Sequence, residues 1–261
     1  MSSEGGNEDR DAAVTASRRD TSVGRDRDDG SVGRDRDDAP VDHDHDGSPS
    51  LADEPFRLSG AVATVAALGG IALAVLLDPT FSWTGDALSD LGVRDRSAPA
   101  FNGGLILGGA VGLGYAVGLW RLADEGGKRS TVASRLRGVT FAASMVAMAG
   151  VGLYDLTEPL HAPAAVGFYT LLTVVFAIDG VARRRTSTGR VTLAFVPVHV
   201  GVWATYLAGL WPVTGLALPE LPGALMLAAW VWAVGPLPVV AGRRSAGDEP
   251  TEQSGRGGFD R

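Results

Sequence analysis

Residues of the types that transfer protons or hold ligands are few in this 261-residue sequence, and they fall in a handful of short segments. Asp155, Glu158 and His161 bracket Pro159 in a connection so short that the three are expected to lie close together. A carboxylate beside an imidazole raises the basicity of the ring and makes a proton-transfer pair, and the same groups can share a metal ion. The plain alternative is a hydrogen-bonded turn that fixes a helix hairpin. Upstream, Trp83-Thr-Gly-Asp-Ala-Leu-Ser-Asp-Leu-Gly92 reads as a short interfacial helix. In such a helix Asp86, Ser89 and Asp90 share one face, and Gly92 supplies a left-handed stop. Two carboxylates on one turn either hold a cation or stay solvated. Asn102, ten residues after Gly92, has the side chain of a helix cap.

Two further polar residues fall inside long apolar stretches. His199 follows Pro197 by two residues, and a proline in a helix removes a donor and leaves a carbonyl without its partner. A neutral imidazole bonded to that carbonyl is one reading, and a proton relay or ligand site is the other. Asp179 has Arg183 four residues on, the spacing of a helix ion pair, and is read as anchoring a helix end. No Gly-rich phosphate loop, Gly-x-Ser-x-Gly elbow or His-Glu-x-x-His helix occurs. With no cysteine, disulfides, thiol nucleophiles and thiolate metal sites are also excluded. Neither a cofactor nor a resident metal is expected.

The elements that must position these residues are long apolar helices. From Arg57 onward, apolar runs of about 20 residues alternate with short polar breaks, the length needed to cross about 30 Å of hydrocarbon. Six spans are expected: Leu58 to Leu77, Phe101 to Leu119, Gly138 to Leu156, Pro163 to Val181, Val191 to Leu210 and Leu221 to Val240. Six such helices with no amphipathic partner would leave a soluble protein nothing to turn toward water. The fold class expected is therefore an all-α membrane protein, a six-transmembrane-helix bundle over 57–241. Gly104, Gly108 and Gly112 form a small-residue stripe in the second span that serves either packing inside the bundle or homo-oligomerisation. Pro236 and Pro238 are expected to weaken the end of the last span.

Short loops rich in Lys and Arg stay in the cytoplasm. The second connection carries Arg121, Lys128, Arg129, Arg135 and Arg137, the fourth Arg183, Arg184, Arg185 and Arg190, and the last span is followed by Arg243 and Arg244. The first, third and fifth connections hold only Arg94 and Arg96 between them. Both ends of the chain are thus expected in the cytoplasm of a multi-pass cell-membrane protein, with Trp83 and Trp211 near the outer interface and Trp120 near the inner one. Residues 1–56 hold 16 acidic groups against 7 arginines, so the whole formal charge of −7 arises there, while the remainder carries 14 acids and 16 bases. This segment repeats Ser22-Val-Gly-Arg-Asp-Arg-Asp-Asp29 as residues 31–38, and it reads as a disordered acidic tail. Its Asp42-His43-Asp44-His45-Asp46 run resembles a small metal-binding tract but reads as solvated linker. Residues 242–261 read as a second disordered tail. Acidity with a single lysine, Lys128, hints at a halophile, and no basic stripe argues for nucleic acid.

Leu88-Ser-Asp-Leu-Gly92 after the first span, Phe101-Asn102-Gly103 opening the second, and Gly152-Leu153-Tyr154 followed by His161 carry a family resemblance. Across the membrane portion the chain resembles the domain of unknown function 998 family, six-helix membrane proteins frequent in salt-loving archaea. The resemblance implies architecture and supplies no activity. Three functions stay open from the residues. One is binding of a lipid head group, ion or partner at an extracytoplasmic polar rim formed by Asp86, Ser89, Asp90, Asn102, Asp155, Glu158 and His161. The second is a membrane-embedded hydrolase using Ser89, Asp90, Asp155 and His161. The third is a small-solute or proton-coupled transporter using His199.

Overall fold

A computed structural model of the chain describes residues 53–122 and 128–240, so the acidic repeat, the Asp42–Asp46 tract and the C-terminal tail lie outside the described residues. Six α-helices follow one another: α1 (Glu54–Leu77), α2 (Ala98–Arg121), α3 (Lys128–Leu153), α4 (His161–Ala182), α5 (Ser187–Leu207) and α6 (Ala217–Ala229). A 3₁₀ turn, Leu88–Gly92, stands between α1 and α2, and a π turn, Trp230–Val234, continues α6. All six helices, the last taken together with its π turn, are long and apolar enough to cross a membrane, so the protein is a multi-pass membrane protein. No strand occurs among the described residues.

Helix ends follow local chemistry. Pro55 and Pro99 sit in the first turns of α1 and α2, where a missing N–H costs nothing. Pro79 forces the preceding Asp78 into extended backbone (φ −115°, ψ 93°), which stops α1. Thr186 caps α5 by accepting from the Gly189 amide at 3.0 Å. The expected last span, Leu221 to Val240, is displaced: the helix starts four residues earlier and its π turn ends at Val234, ahead of Pro236 and Pro238. Beyond it the chain folds back, with the amides of Val239 and Val240 donating to Val231 and Trp232 carbonyls. That return seats Leu237 in the core, where its carbonyl accepts from the buried Tyr115 hydroxyl at 3.1 Å.

Consecutive helices pack side by side from α1 to α5, and α6 joins α1, α4 and α5. In lipid such contacts come from close backbone approach more than from apolar burial. At Gly104 a Cβ would stand 2.7 Å from the Ala66 carbonyl oxygen and 2.8 Å from the Gly70 Cα. At Gly108 it would stand 2.9 Å from the Ala63 carbonyl oxygen, and at Gly112 3.0 Å from Met145 Cγ. Of the two roles open for this stripe, the structure fills the one inside the bundle. Gly109 and Gly152 bring α3 equally close to α2, and Gly180 brings α5 onto α4.

Toward the arginine-rich end, Tyr115, Phe141, Phe176 and Trp230 stack into one aromatic core, with centroids 5.3 to 6.4 Å apart. Beneath it Asp179, fully buried, gathers Arg137 of α3 at 2.7 Å, Arg183 of its own helix and the Trp230 indole at 2.8 Å. The expected Asp179–Arg183 pair is present, but its role is corrected: it is the hub of a three-helix polar lock rather than a helix-end anchor.

Candidate functional site

The loop between α1 and α2 is built as a plug. Asp90 closes the 3₁₀ turn by accepting from the Ala87 amide at 2.7 Å. Ser97 donates its hydroxyl to the Leu91 carbonyl at 2.8 Å, and Asn102 donates Nδ2 to the Gly92 carbonyl at 2.9 Å. The Leu88 amide donates to Glu220 of α6 at 2.8 Å. Four side chains from two helices and the turn itself therefore pin the plug, and Leu88 and Leu91 are buried beneath it.

Several expectations are corrected by this arrangement. Asn102 lies inside α2 and caps the preceding turn, not its own helix; its Oδ1 is buried with no partner. Gly92 is required by space, not by left-handed backbone, because a Cβ there would meet Asn102 Oδ1 at 2.6 Å. Asp86 precedes the turn and does not share a face with Asp90. Its Oδ2 accepts from the Ser82 amide at 2.8 Å and pairs with Arg94 at 3.0 Å. The second guanidinium nitrogen of Arg94 reaches Asp78 at 2.6 Å, and this contact, with Thr80, holds the Asp78 carboxyl down to about 2. The Ser82 amide and Arg94 lower Asp86 likewise. Both acids expected to share a cation are thus engaged by their own loop.

At the α3–α4 connection the backbone turns as expected, with the Glu158 amide donating to Asp155 and the His161 amide to Glu158. The side chains diverge. Asp155 accepts from the Thr157 amide and hydroxyl at 2.8 and 2.5 Å, contacts that lower its carboxyl. Glu158 is exposed. His161 turns inward, 6% exposed, and its Nδ1 meets the Tyr154 carbonyl at 2.7 Å. A carbonyl only accepts, so Nδ1 carries the proton and Nε2 is left as an acceptor. The expected carboxylate–imidazole pair does not form.

What the structure does bring together is a narrow cavity in the middle of the bundle, of about 70 Å³. Its walls come from α1, α2, α3, α4 and α6; α5 contributes none. Most of the lining is apolar, including Ile71, Leu105, Met145, Met148, Phe168 and Leu227. Polar groups gather toward one end, where Ser89 of the plug, His161 at the start of α4 and Glu220 at the start of α6 line the wall, with Tyr169 farther down α4. Ser89, His161 and Glu220 are 7%, 6% and 8% exposed. The Ser89 hydroxyl, His161 Nε2 and Glu220 Oε1 have no hydrogen-bond partner among the described residues; Oε2 of Glu220 holds the Leu88 amide. No Arg or Lys lines the cavity. From Glu220 to Val231, eleven steps along the wall at 1.5 Å each give a depth of about 16 Å.

Glu220 and Tyr169 were not among the residues the sequence singled out. Hydropathy starts the last span at Leu221 and leaves Glu220 in a loop, whereas the helix begins at Ala217 and carries Glu220 into the interior. The Leu-Pro-Glu-Leu-Pro run was the available signal, since proline and acid both favour a first helical turn. His199 stands apart from the cavity. Trp203 Nε1 donates to its Nε2 at 3.2 Å, and its Nδ1 meets Thr173 Oγ1 at 2.8 Å. The Thr173 hydroxyl in turn donates to the Tyr169 carbonyl at 2.8 Å. The expected bond to a carbonyl freed by Pro197 is replaced by this chain, which ties α5 to α4. Among the described residues no three His, Asp or Glu side chains gather as a metal site.

No curated protein and no solved structure matches the chain. A family model does match, over residues 61–236, from within α1 through the plug, the cavity walls and the π turn, and the chain belongs to the family described as "Protein of unknown function (DUF998)".

Proposed function

We propose that the protein binds a membrane amphiphile, with the tail in the central cavity and the head group at Ser89, His161 and Glu220. The carrying observation is the cavity itself, which is apolar along its depth and polar at one end, with hydrogen-bonding atoms there that no described residue uses. Hydrogen-bonding atoms open to a cavity and unused by the described residues suit a ligand that engages them. With both chain ends in the cytoplasm, as the arginine distribution argues, this polar end faces outward in the cell membrane. Binding there needs no cofactor.

Native mass spectrometry of the purified protein tests this. Retained amphiphile is expected in the wild type and lost in Ala224→Trp, which fills the cavity from α6, provided that the variant's melting temperature is unchanged. Identical retention in both would sink the reading.

Hydrolysis is the second reading, because Ser89 and His161 line the same cavity. One observation weighs against it: Asp90 and Asp155 are spent in local turns, so neither carboxylate backs the imidazole. Turnover of a bound acyl ester that is abolished by Ser89→Ala would reverse the preference.

A further inference from the structure

We infer that the cavity selects an amphiphile with a cationic, donor-rich head, of the long-chain amine class, and rejects anionic phosphate heads. This rests on the amphiphile-binding reading above and adds the chemistry of the head.

The unused atoms at the polar end form a set with one character. Glu220 Oε1 and His161 Nε2 accept, the Ser89 hydroxyl both donates and accepts, and no guanidinium or ammonium lines the wall. Each of the three side chains is more than nine-tenths buried, so their partners must come from within the cavity. The nearest arginine of the plug loop, Arg94, is spent on Asp78 and Asp86. Asp90, next to Ser89, adds a second acid to the same end.

An ammonium brings three donors and a positive charge to this set. A phosphate brings negative charge and mostly acceptors, and would meet no guanidinium or ammonium in the wall to neutralise it. A charge left without a counter-charge in a desolvated site is one device by which binding sites reject wrong partners. The apolar walls add affinity for the tail but cannot discriminate between heads on one tail. The choice therefore falls to Glu220.

The experiment uses the full-length protein in phosphatidylcholine nanodiscs, equilibrated with a saturated long-chain alkylamine, the matching alcohol or the matching alkyl phosphate. Retention of each probe per protein is read by native mass spectrometry. The amine is expected to exceed the phosphate by about tenfold or more, a difference of about 1.4 kcal/mol. Glu220→Gln keeps an oxygen for the Leu88 amide, and it is expected to erase most of that preference. Equal retention of amine and phosphate by the wild type overturns the inference without needing any variant, and so does a preference that survives Glu220→Gln. Failure of the underlying reading looks different: none of the three probes is retained, or Ala224→Trp displaces none of them.

Discussion

Asp179 shows how far one residue's role depends on neighbours remote in the chain. Its carboxylate is fully buried and accepts from Arg137 Nη1, Arg183 Nε and Nη2, and Trp230 Nε1. Arg183 also reaches the Val234 carbonyl at 2.8 Å, which ties the π turn into the same lock. The i, i+4 pair with Arg183 was legible in the sequence. Arg137, 42 residues earlier, and Trp230, 51 later, were not, because no local pattern links them. The lock is asymmetric, with two guanidiniums for one carboxylate and Arg137 Nε left without a partner. Removing the carboxylate leaves the buried Arg137 and the half-buried Arg183 facing each other, and breaking the buried Arg137–Asp179 pair in this way costs about 3–5 kcal/mol. Removing Arg137 leaves Asp179 with Arg183 and Trp230 and relieves the orphaned Nε, at a cost of roughly 1–2 kcal/mol. Asp179→Ala is therefore expected to destabilise the protein far more than Arg137→Met in chemical unfolding from mild detergent micelles. Equal costs would mean that the lock does not centre on the carboxylate.

At the scale of elements, the glycines separate what packs from what faces lipid. Gly103 and Gly104 are adjacent in α2, yet a Cβ at Gly103 meets nothing within 4 Å, whereas one at Gly104 runs into the backbone of α1. Backbone cannot give way as a side chain tip can, so Gly104→Val is expected to cost at least about 1–3 kcal/mol through overpacking. Gly103→Ala is expected to be neutral or to gain up to about 1 kcal/mol from helix propensity. Thermal unfolding of the two variants side by side checks this, and a loss at Gly103 as large as that at Gly104 would contradict the packing. Six helices, the glycine stripe and the polar character of the plug were all legible, since each depends on composition over one contiguous segment. The cavity was not, because it exists only where five helices fail to meet, a property of their relative placement. The candidate residues divide along the same line. Ser89 and His161 reach the cavity, while Asp86, Asp90, Asn102 and Asp155 are held by partners within their own loops or the next one. Glu220, the acid that matters most there, escaped notice because its burial is decided by where α6 begins and by a plug 132 residues upstream.

For the whole molecule, the deciding quantity is which way the bundle stands. Arg121, Arg135, Arg183, Arg184, Arg185 and Arg190 all sit at one end, and the plug with the polar end of the cavity sits at the other. Retention of arginine-rich loops in the cytoplasm would turn this polar end toward the outer leaflet. The absence of cysteine makes this directly measurable, since any introduced thiol is the chain's sole label site. Glu158→Cys and Ser187→Cys replace exposed residues at opposite ends of α4, a helix of 22 residues that spans roughly 33 Å. A membrane-impermeant maleimide on intact cells is expected to label Glu158→Cys and to reach Ser187→Cys only after lysis. The inverse result would place the polar end of the cavity toward the cytoplasmic face and make its ligand an inner-leaflet amphiphile. Labelling of both from outside would mean that α4 does not cross the membrane, and the six-span bundle itself would fall.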